Sequence, residues 1–170
     1  MTARALEEYL ASQPESLIKG PIAIILIEDA AAVAETLLHH LRLGFRHILA
    51  LSPEPVALPD DPKGRITNLI WNTRLPDAHV GAVNAVSKAV APGTWLYYCY
   101  NAEFLFFPFS ESRRVGEMLT FHVEERRDAM LTYVVDLYAP DLTVCPDAVD
   151  LEQAMFDRTG YYALGRPDRQ

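Results

Sequence analysis

The sequence predicts an α/β fold: a three-layer, mostly parallel, open sheet within a single domain. Short and wholly apolar runs, such as residues 21–27 (PIAIILI), are typical of strands that are buried on both faces. These runs alternate with longer stretches that carry apolar residues at helical spacing, as in successive βαβ units. A length of 170 residues suits one domain with a substantial core.

The boundaries of the elements are indicated by helical stripes and by turn residues. Pro14 lies just beyond the first helix, and Gly44 is a plausible end for the second. Residues 52–64 carry four prolines and are predicted to form a loop. The predicted strands lie near residues 22–27, 46–51, 65–72, 94–99 and 129–138, and the predicted helices near 2–13, 28–45, 77–91, 110–128 and 151–156. Three segments result: an N-terminal helical segment (1–20), the α/β domain (21–165) and a tail (166–170).

Composition narrows the possible partners. The net charge of −8 and a pI near 5.0 argue against nucleic acid as the main partner. Cys99 and Cys145 form neither a disulfide framework nor a Cys-x-x-Cys metal pair. The first residues lack the apolar core of a signal peptide, and no apolar run approaches the ~18–20 residues that span a bilayer. We therefore expect a cytoplasmic protein without a transmembrane segment.

Several motifs with known chemistry do not occur. The chain has no Gly-x-Gly-x-x-Gly after the first long strand, no Walker phosphate loop and no Gly-x-Ser-x-Gly nucleophile elbow. His39 and His40 are adjacent, so their side chains point to different sides of a helix and do not have the spacing of a zinc site. We expect one of them to face the sheet and the other to face solvent.

Polar residues come directly after several predicted strands. Parallel sheets bind ligands beyond the carboxyl ends of their strands, which places Glu28, Asp29, Asn72 and the Asn101–Glu103 turn along one edge. Glu28 and Asp29 also fit another interpretation, that of acidic caps at a helix N-terminus. Both interpretations stay open at this point.

Asp136 lies inside the otherwise apolar run of the fifth predicted strand. A buried carboxylate there is costly unless it is paired. It is therefore expected either to meet a basic partner or to face the cleft at the edge of the sheet. Candidate partners are Arg74, Lys88 and Arg113.

Four segments, in this order, resemble landmarks of family-2-type glycosyltransferases of the GT-A fold. They are IEDAAAVAETLLHHLRLGFRHILAL (27–51), GTWLYYCYNAEFLFFP (93–108), YVVDLYAP (133–140) and FDRTGYY (156–162). The resemblance covers roughly residues 21–162. It implies the nucleotide-diphospho-sugar transferase type of sheet, a nucleotide-diphospho-sugar partner, and nucleotide-sugar contacts from Glu28, Asp29, Asn101, Glu103 and Asp136.

The chain departs from this family at the Asp-x-Asp motif, whose two aspartates hold a divalent cation. Aligned on Glu103, the two positions are occupied by Tyr100 and Ala102, which cannot ligate a cation through a carboxylate. A shift of one residue offers Asn101 and Glu103 instead, so Mg²⁺ or Mn²⁺ is expected only if these two replace the missing aspartates. The chain is also shorter than is usual in the family, as a shortened relative or a fragment would be.

The sequence supports two functional hypotheses. The first is a glycosyltransferase-like protein, related to nucleotide-sugar-dependent sugar transferases, that is degenerate and weakly active or inactive as this chain. The alternative is a non-catalytic GT-A-like module for nucleotide binding or protein interaction. Residues 97–109 hold more aromatic side chains than one strand face buries, and the surplus would suit a homodimer contact.

Overall fold

The computed structural model of the protein describes residues 4–146 and 149–156. Two compact units are present, one up to Arg126 and one from Arg127 onward. The first unit contains every helix and strand assigned among the described residues. In chain order these are β1 (Arg4–Ala5), α1 (Leu6–Ala11), a 3₁₀ turn (Glu15–Leu17), β2 (Ile22–Leu26), α2 (Val33–Leu43), β3 (His47–Ser52), β4 (Ile66–Ile70), α3 (Ala78–Ala89), β5 (Leu96–Tyr100) and α4 (Val115–Glu124).

The five strands form one open, all-parallel sheet in the order β1-β4-β3-β2-β5. The α/β class and the parallel sheet are therefore confirmed. Strand β2 lies between β3 and β5, with Ile22 level with both His47 and Leu96. The chain steps from β2 to β3 to β4 in one direction and then returns to add β5 on the far side of β2. The order of the strands thus reverses at the β2–β5 pair.

Strand β2 supplies side chains to both faces of the sheet, and all five of its residues are buried. Ala23 and Ile25 belong to one apolar cluster, together with residues of α2 and α4. The alternate residues Ile22, Ile24 and Leu26 belong to a second cluster, together with residues of α1 and α3. Helices therefore cover both faces, as the continuous apolar run predicted.

Helix α2 begins five residues later than predicted. Residues 28–32 form a loop instead, and Ala32 at its end has a left-handed φ of 47°. The interpretation of Glu28 and Asp29 as helix caps is therefore wrong. At its other end the helix stops at Gly44, whose φ of 95° suits a residue without a Cβ. Strand β1 was not predicted, because two residues leave no periodic signal.

Within the described part of the second unit there is no regular strand, so the predicted strand at 129–138 is wrong. The segment is β-branched and apolar, but Leu131, Tyr133 and Val134 are exposed. Its recorded pairing is a single antiparallel bridge between Tyr138 and Met155. Strand propensity describes a fit to a packed and paired surface, and this segment has no such surface here.

Two further predictions concern the second unit. Asp136 is exposed and lies outside any strand, so the prediction of a carboxylate buried in a strand is wrong. The predicted short helix at 151–156 is also wrong, because residues 151–153 form a turn and Met155 forms the bridge to Tyr138. Residues 157–162 of the FDRTGYY segment and the predicted tail at 166–170 lie outside the described residues.

The burial of β2 predicts a large effect from a change at its centre. Ile24 is fully buried, and we expect Ile24→Ala to lower the free energy of unfolding by about 2–5 kcal/mol through the cavity it leaves. Ile18 is 62% exposed, so the matched change Ile18→Ala should stay within about 0.5 kcal/mol of the parent. Urea denaturation of both variants makes the measurement. Equal effects would contradict the central position of β2.

Candidate functional site

The point at which the strand order reverses is the edge formed by the carboxyl ends of β2 and β5. In open α/β sheets, ligands bind in the crevice beyond such a reversal. The loops after β2 (27–32), β4 (71–77) and β5 (101–103) meet there. We refer to these three loops as the carboxyl edge.

Asn101 connects the loop after β5 to the loop after β2. Its backbone N–H extends the sheet by donating to the Leu26 carbonyl at 2.9 Å. The side-chain oxygen Oδ1 accepts the N–H of Glu28 at 3.0 Å. The side-chain nitrogen Nδ2 donates to Asp29 Oδ1 at 2.6 Å and to the Ala31 carbonyl at 3.0 Å. We call these three side-chain bonds the Asn101 clamp; they fix the Asp29 carboxylate and the backbone at Glu28 and Ala31.

Thr36 ties the same two loops together from the first turn of α2. Its hydroxyl donates to the Ala32 carbonyl at 2.7 Å and accepts the N–H of Ala102 at 2.9 Å. Ala102 has a left-handed φ of 61°, a conformation that costs a residue with a Cβ of order 1–2 kcal/mol. The hydrogen bonds around the turn offset this cost. The turn after β5 is therefore held in one shape from two sides.

Glu103 is hydrogen-bonded within its own turn. Its Oε2 accepts the N–H of Tyr100 at 2.8 Å, and its own N–H donates to the Tyr100 carbonyl at 3.3 Å. Trp95 and Asn101 make their backbone bonds to β2, so by alternation the backbone of Tyr100 faces the other edge of β5. Among the described residues, β5 pairs only with β2. Glu103 thus satisfies a backbone N–H on the unpaired edge of β5.

The loop after β4 also contacts the loop after β2. The guanidinium of Arg74 donates from Nε and Nη2 to the Glu28 carbonyl, at 3.2 and 3.1 Å. The hydroxyl of Thr73 donates to the Ile27 carbonyl at 2.7 Å. The backbone after β2 is therefore held by both neighbouring loops, while the side-chain carboxylate of Glu28 is left at the surface.

An aromatic group lies beside these loops. The ring of His79 stacks on Tyr98, with centroids 5.8 Å apart, and its Nδ1 is 3.2 Å from the Tyr100 hydroxyl. Tyr98 is about half exposed. Partial burial, with the nearby carboxylates of Glu28 and Glu103, raises the pKa of the Tyr100 phenol. The Tyr98 ring thus lies two residues before the end of β5 and contacts His79, which also contacts Tyr100 at that end.

The structure brings together four of the five predicted site residues. Glu28, Asp29, Asn101 and Glu103 lie in neighbouring loops of the carboxyl edge. Asp136 belongs to the second unit, where its side chain is exposed.

The side chains of Asn101 and Glu103 are both engaged with the backbone around the turn. A divalent cation of this kind takes about six oxygen ligands. Asn101 Oδ1 and Glu103 Oε2 instead accept backbone N–H groups. Within the described residues, no group of three or more His, Cys, Asp or Glu side chains is placed to hold a metal ion.

Sequence reasoning missed Thr36, Thr73, Arg74 and His79 as parts of this edge. Thr73 and Arg74 come soon after β4, so the rule that placed Asn72 at the edge would have placed them there too. His79 begins the next helix and carried no such signal. Thr36 could not have been found, because its role depends on the delayed start of α2.

Of the two adjacent histidines, His40 faces the sheet as expected, whereas His39 is not simply exposed to solvent. His40 is fully buried; its Nδ1 donates to the Thr36 carbonyl at 2.8 Å, and the Cys99 thiol lies 4.0 Å from its Nε2. Burial lowers the pKa of His40 to about 4 and raises that of Cys99 to about 12. His39 is half-buried, and one of its ring nitrogens donates to the Leu105 carbonyl. His40 and Cys99 are thus neutral core groups.

Comparison of the chain with protein-family models, curated proteins and solved structures finds no significant match. In the described part of the chain, no helix has the length and apolar character needed to cross a membrane. The function of the chain is therefore inferred from its own residues and their geometry.

The Asn101 clamp predicts a specific loss of stability. Asn101→Ala removes three side-chain hydrogen bonds, which are partly exposed, and we expect the free energy of unfolding to fall by about 1–3 kcal/mol. Asn84→Ala, at an exposed position of α3, is the matched control and should stay within about 0.5 kcal/mol of the parent. Urea denaturation compares the two variants. Indistinguishable curves would mean that the Asn101 clamp does not contribute to the free energy of unfolding.

Stability should also fall in mild acid. Burial lowers the folded-state pKa of His40 and of His47 from 6.5 to about 4. The unfolded chain therefore binds more protons than the folded chain between these values, so this stabilisation is complete above pH 6.5 and is lost towards pH 4. We expect a loss of about 2 kcal/mol per histidine between about pH 7 and pH 5.

Denaturation of the parent and of His40→Asn across this pH range tests the assignment. Asparagine keeps a side-chain donor but does not titrate, so the variant should show a shallower pH dependence. An unchanged slope would contradict the neutral, buried state of His40.

Proposed function

We propose that this chain is a glycosyltransferase-like module of the GT-A type that binds the nucleoside part of a nucleotide or nucleotide-sugar and does not transfer sugar by itself. One observation carries the proposal. At the reversal of the strand order, the Asn101 clamp holds the Asp29 carboxylate and the backbone of Glu28, whose own side chain is exposed beside it. The resemblance to family-2-type glycosyltransferases and the parallel sheet both support a nucleotide site at this edge.

The chemistry of the carboxyl edge suits a nucleoside. Carboxylates accept hydrogen bonds from ribose hydroxyls and from base N–H groups. Oδ1 of Asp29 is occupied by Ala31 and Asn101, whereas no hydrogen bond to its Oδ2 is recorded within the described residues. The Tyr98 ring, stacked on His79 and half exposed, offers a face on which a base can stack. Hydrogen bonding and stacking together would recognise a base and its ribose.

The same edge disfavours a diphosphate. The pKa of the Tyr100 phenol is raised first by burial and then by the nearby charges of Glu28, Glu103 and Asp77. The cationic side chain of Arg74 contacts this edge, but its guanidinium donates to the backbone carbonyl of Glu28. Like charges oppose a diphosphate unless a cation neutralises it. We therefore expect the nucleoside, and not the diphosphate, to supply the binding free energy.

A second candidate function is protein interaction through exposed aromatic side chains. In the segment after the 101–103 turn, Leu105 and Phe107 are buried, whereas Phe106 and Phe109 are 74% and 70% exposed. Phe106, which lies between the buried pair, and Phe109, two residues beyond it, thus face solvent. Exposed aromatic groups of this size are typical of contact surfaces, and a second copy of this chain is the partner proposed for them.

Nucleoside binding is tested by calorimetry with uridine, guanosine and their diphosphates, with and without Mn²⁺. We expect one nucleoside to bind the parent, Mn²⁺ to add little, and no sugar transfer. Because base–aromatic stacking contributes about 1–3 kcal/mol, Tyr98→Ala should weaken binding roughly 5- to 100-fold. Phe106→Ala, which removes an exposed aromatic ring elsewhere, is the control and should bind as the parent does. Strong Mn²⁺-dependent binding of a diphosphate would overturn the proposal and would promote Asn101 and Glu103 to ligands.

Self-association is tested by sedimentation of the parent and of the double variant Phe106→Ser/Phe109→Ser. If these side chains form a homodimer contact, the parent sediments as a dimer and the variant as a monomer. Leu58→Ser, at an exposed position in another loop, controls for a general loss of apolar surface. A monomeric parent at all concentrations would remove this second function.

A further inference from the structure

A concave site lies at the end of the sheet opposite to the carboxyl edge, near the amino ends of β3 and β4. It has a volume of about 600 Å³ and is formed by the C-terminal end of α2, the loop before β4 and the residue before α4. Small-molecule sites commonly have volumes of ~300–1,000 Å³. We call this site the amino-edge pocket; it shares no lining residue with the carboxyl edge.

The amino-edge pocket is locally cationic in a chain with a net charge of −8. Four basic side chains line it, against the carboxylates of Asp60 and Asp61. One oxygen of Asp61 accepts the N–H of Ile66 at 2.8 Å, so this carboxylate is tied to the start of β4. The four basic residues are Arg42, Lys63, Arg65 and Arg114.

Arg65 is the residue that points to a ligand. Its Nε is buried and has no hydrogen-bond partner. Within the residues that the structure describes, no hydrogen bond or ion pair is recorded for any other atom of its guanidinium either. A buried donor without a partner is costly, and more so when it is charged. The terminal N–H groups of the same guanidinium are not buried, and these are the groups that an acceptor oxygen in the pocket can reach.

Arg114, by contrast, is held by the protein. Its Nη1 donates to the Arg42 carbonyl at the end of α2. Its aliphatic stem passes over Gly44, where a Cβ would lie 3.2 Å from the Arg114 Cδ. This close approach, together with the φ of 95°, explains the glycine at this position. The Arg114 guanidinium is therefore pre-positioned, and the N–H groups that do not bind the Arg42 carbonyl are left for a ligand.

We propose that the amino-edge pocket binds a phosphate monoester of a small organic molecule, with Arg65 as the principal phosphate ligand. A planar guanidinium recognises two phosphate oxygens at once and is well suited to this group. Arg42, Lys63 and Arg114 add positive charge around the phosphate. Leu38 and Leu41 line the same pocket and provide apolar contact for the organic part. This site is independent of the proposed nucleoside site.

Calorimetric titration of the full chain with phenyl phosphate, and with inorganic phosphate for comparison, tests the proposal. We expect saturable binding of both, tighter for phenyl phosphate because of the two leucines. Loss of a hydrogen bond to a charged group is costly, so Arg65→Gln should weaken binding about tenfold or more. Arg46→Gln is the matched control, because Arg46 is an exposed arginine before β3 that does not line the pocket.

Three results would overturn the proposal: no binding by the parent, equal binding by Arg65→Gln, or equal weakening in the Arg46→Gln control, which would indicate diffuse charge attraction. Circular dichroism verifies that each variant is folded. If Arg65→Gln does not fold, Arg65→Lys replaces it; this variant keeps the charge but loses the planar fork, and it should still weaken binding severalfold. Nucleoside binding at the carboxyl edge should be unchanged in Arg65→Gln, which separates failure of this site from failure of the proposed function.

Discussion

Strand β2 is paired along both edges and covered on both faces, and the rest of the first unit is arranged around it. Its alternate side chains enter two separate apolar clusters, so both helical layers depend on the same five residues. Pairing with β3 on one side and β5 on the other places the end of β2 where the strand order reverses. Burial of this strand thus decides where the chain can present polar groups to a ligand.

The loop after β2 shows how polar side chains replace regular structure at such a point. A helix starting at residue 28 would leave its first N–H groups without intrahelical partners. Here Asn101 and Asp29 accept the N–H groups of Glu28 and Ala31, and α2 starts only at Val33. The loop is therefore ordered by its neighbours and keeps its carboxylates outward. A preformed arrangement of this kind lowers the entropic cost of binding.

The two candidate sites of the first unit differ in charge. Carboxylates predominate at the carboxyl edge, which suits the hydroxyl and amide groups of a nucleoside. Basic residues predominate in the amino-edge pocket, which suits a phosphate. The sheet separates the two, so each can be changed without the other.

The strands β2 to β5 and the four helices could be predicted because each carries a continuous apolar run or a helical stripe. The carboxyl edge could be predicted from the rule for parallel sheets, which placed Glu28, Asp29 and Asn101 correctly. The prediction of a strand at 129–138 was wrong because an apolar, β-branched run has the same sequence pattern whether or not a partner strand pairs with it. Arg65 was invisible in the sequence, since an unpartnered guanidinium is a property of packing and not of residue type.

Amide-resolved NMR spectroscopy of the parent during titration with the nucleoside that binds it tests the central claim most directly. The account predicts shifts at the amides of residues 28–31 and 98–103, including the Glu28 N–H that Asn101 accepts. It also predicts unchanged signals at residues 60–65, which line or adjoin the amino-edge pocket. Shifts confined to the amino-edge pocket, or none at the carboxyl edge at saturating nucleoside, would contradict it.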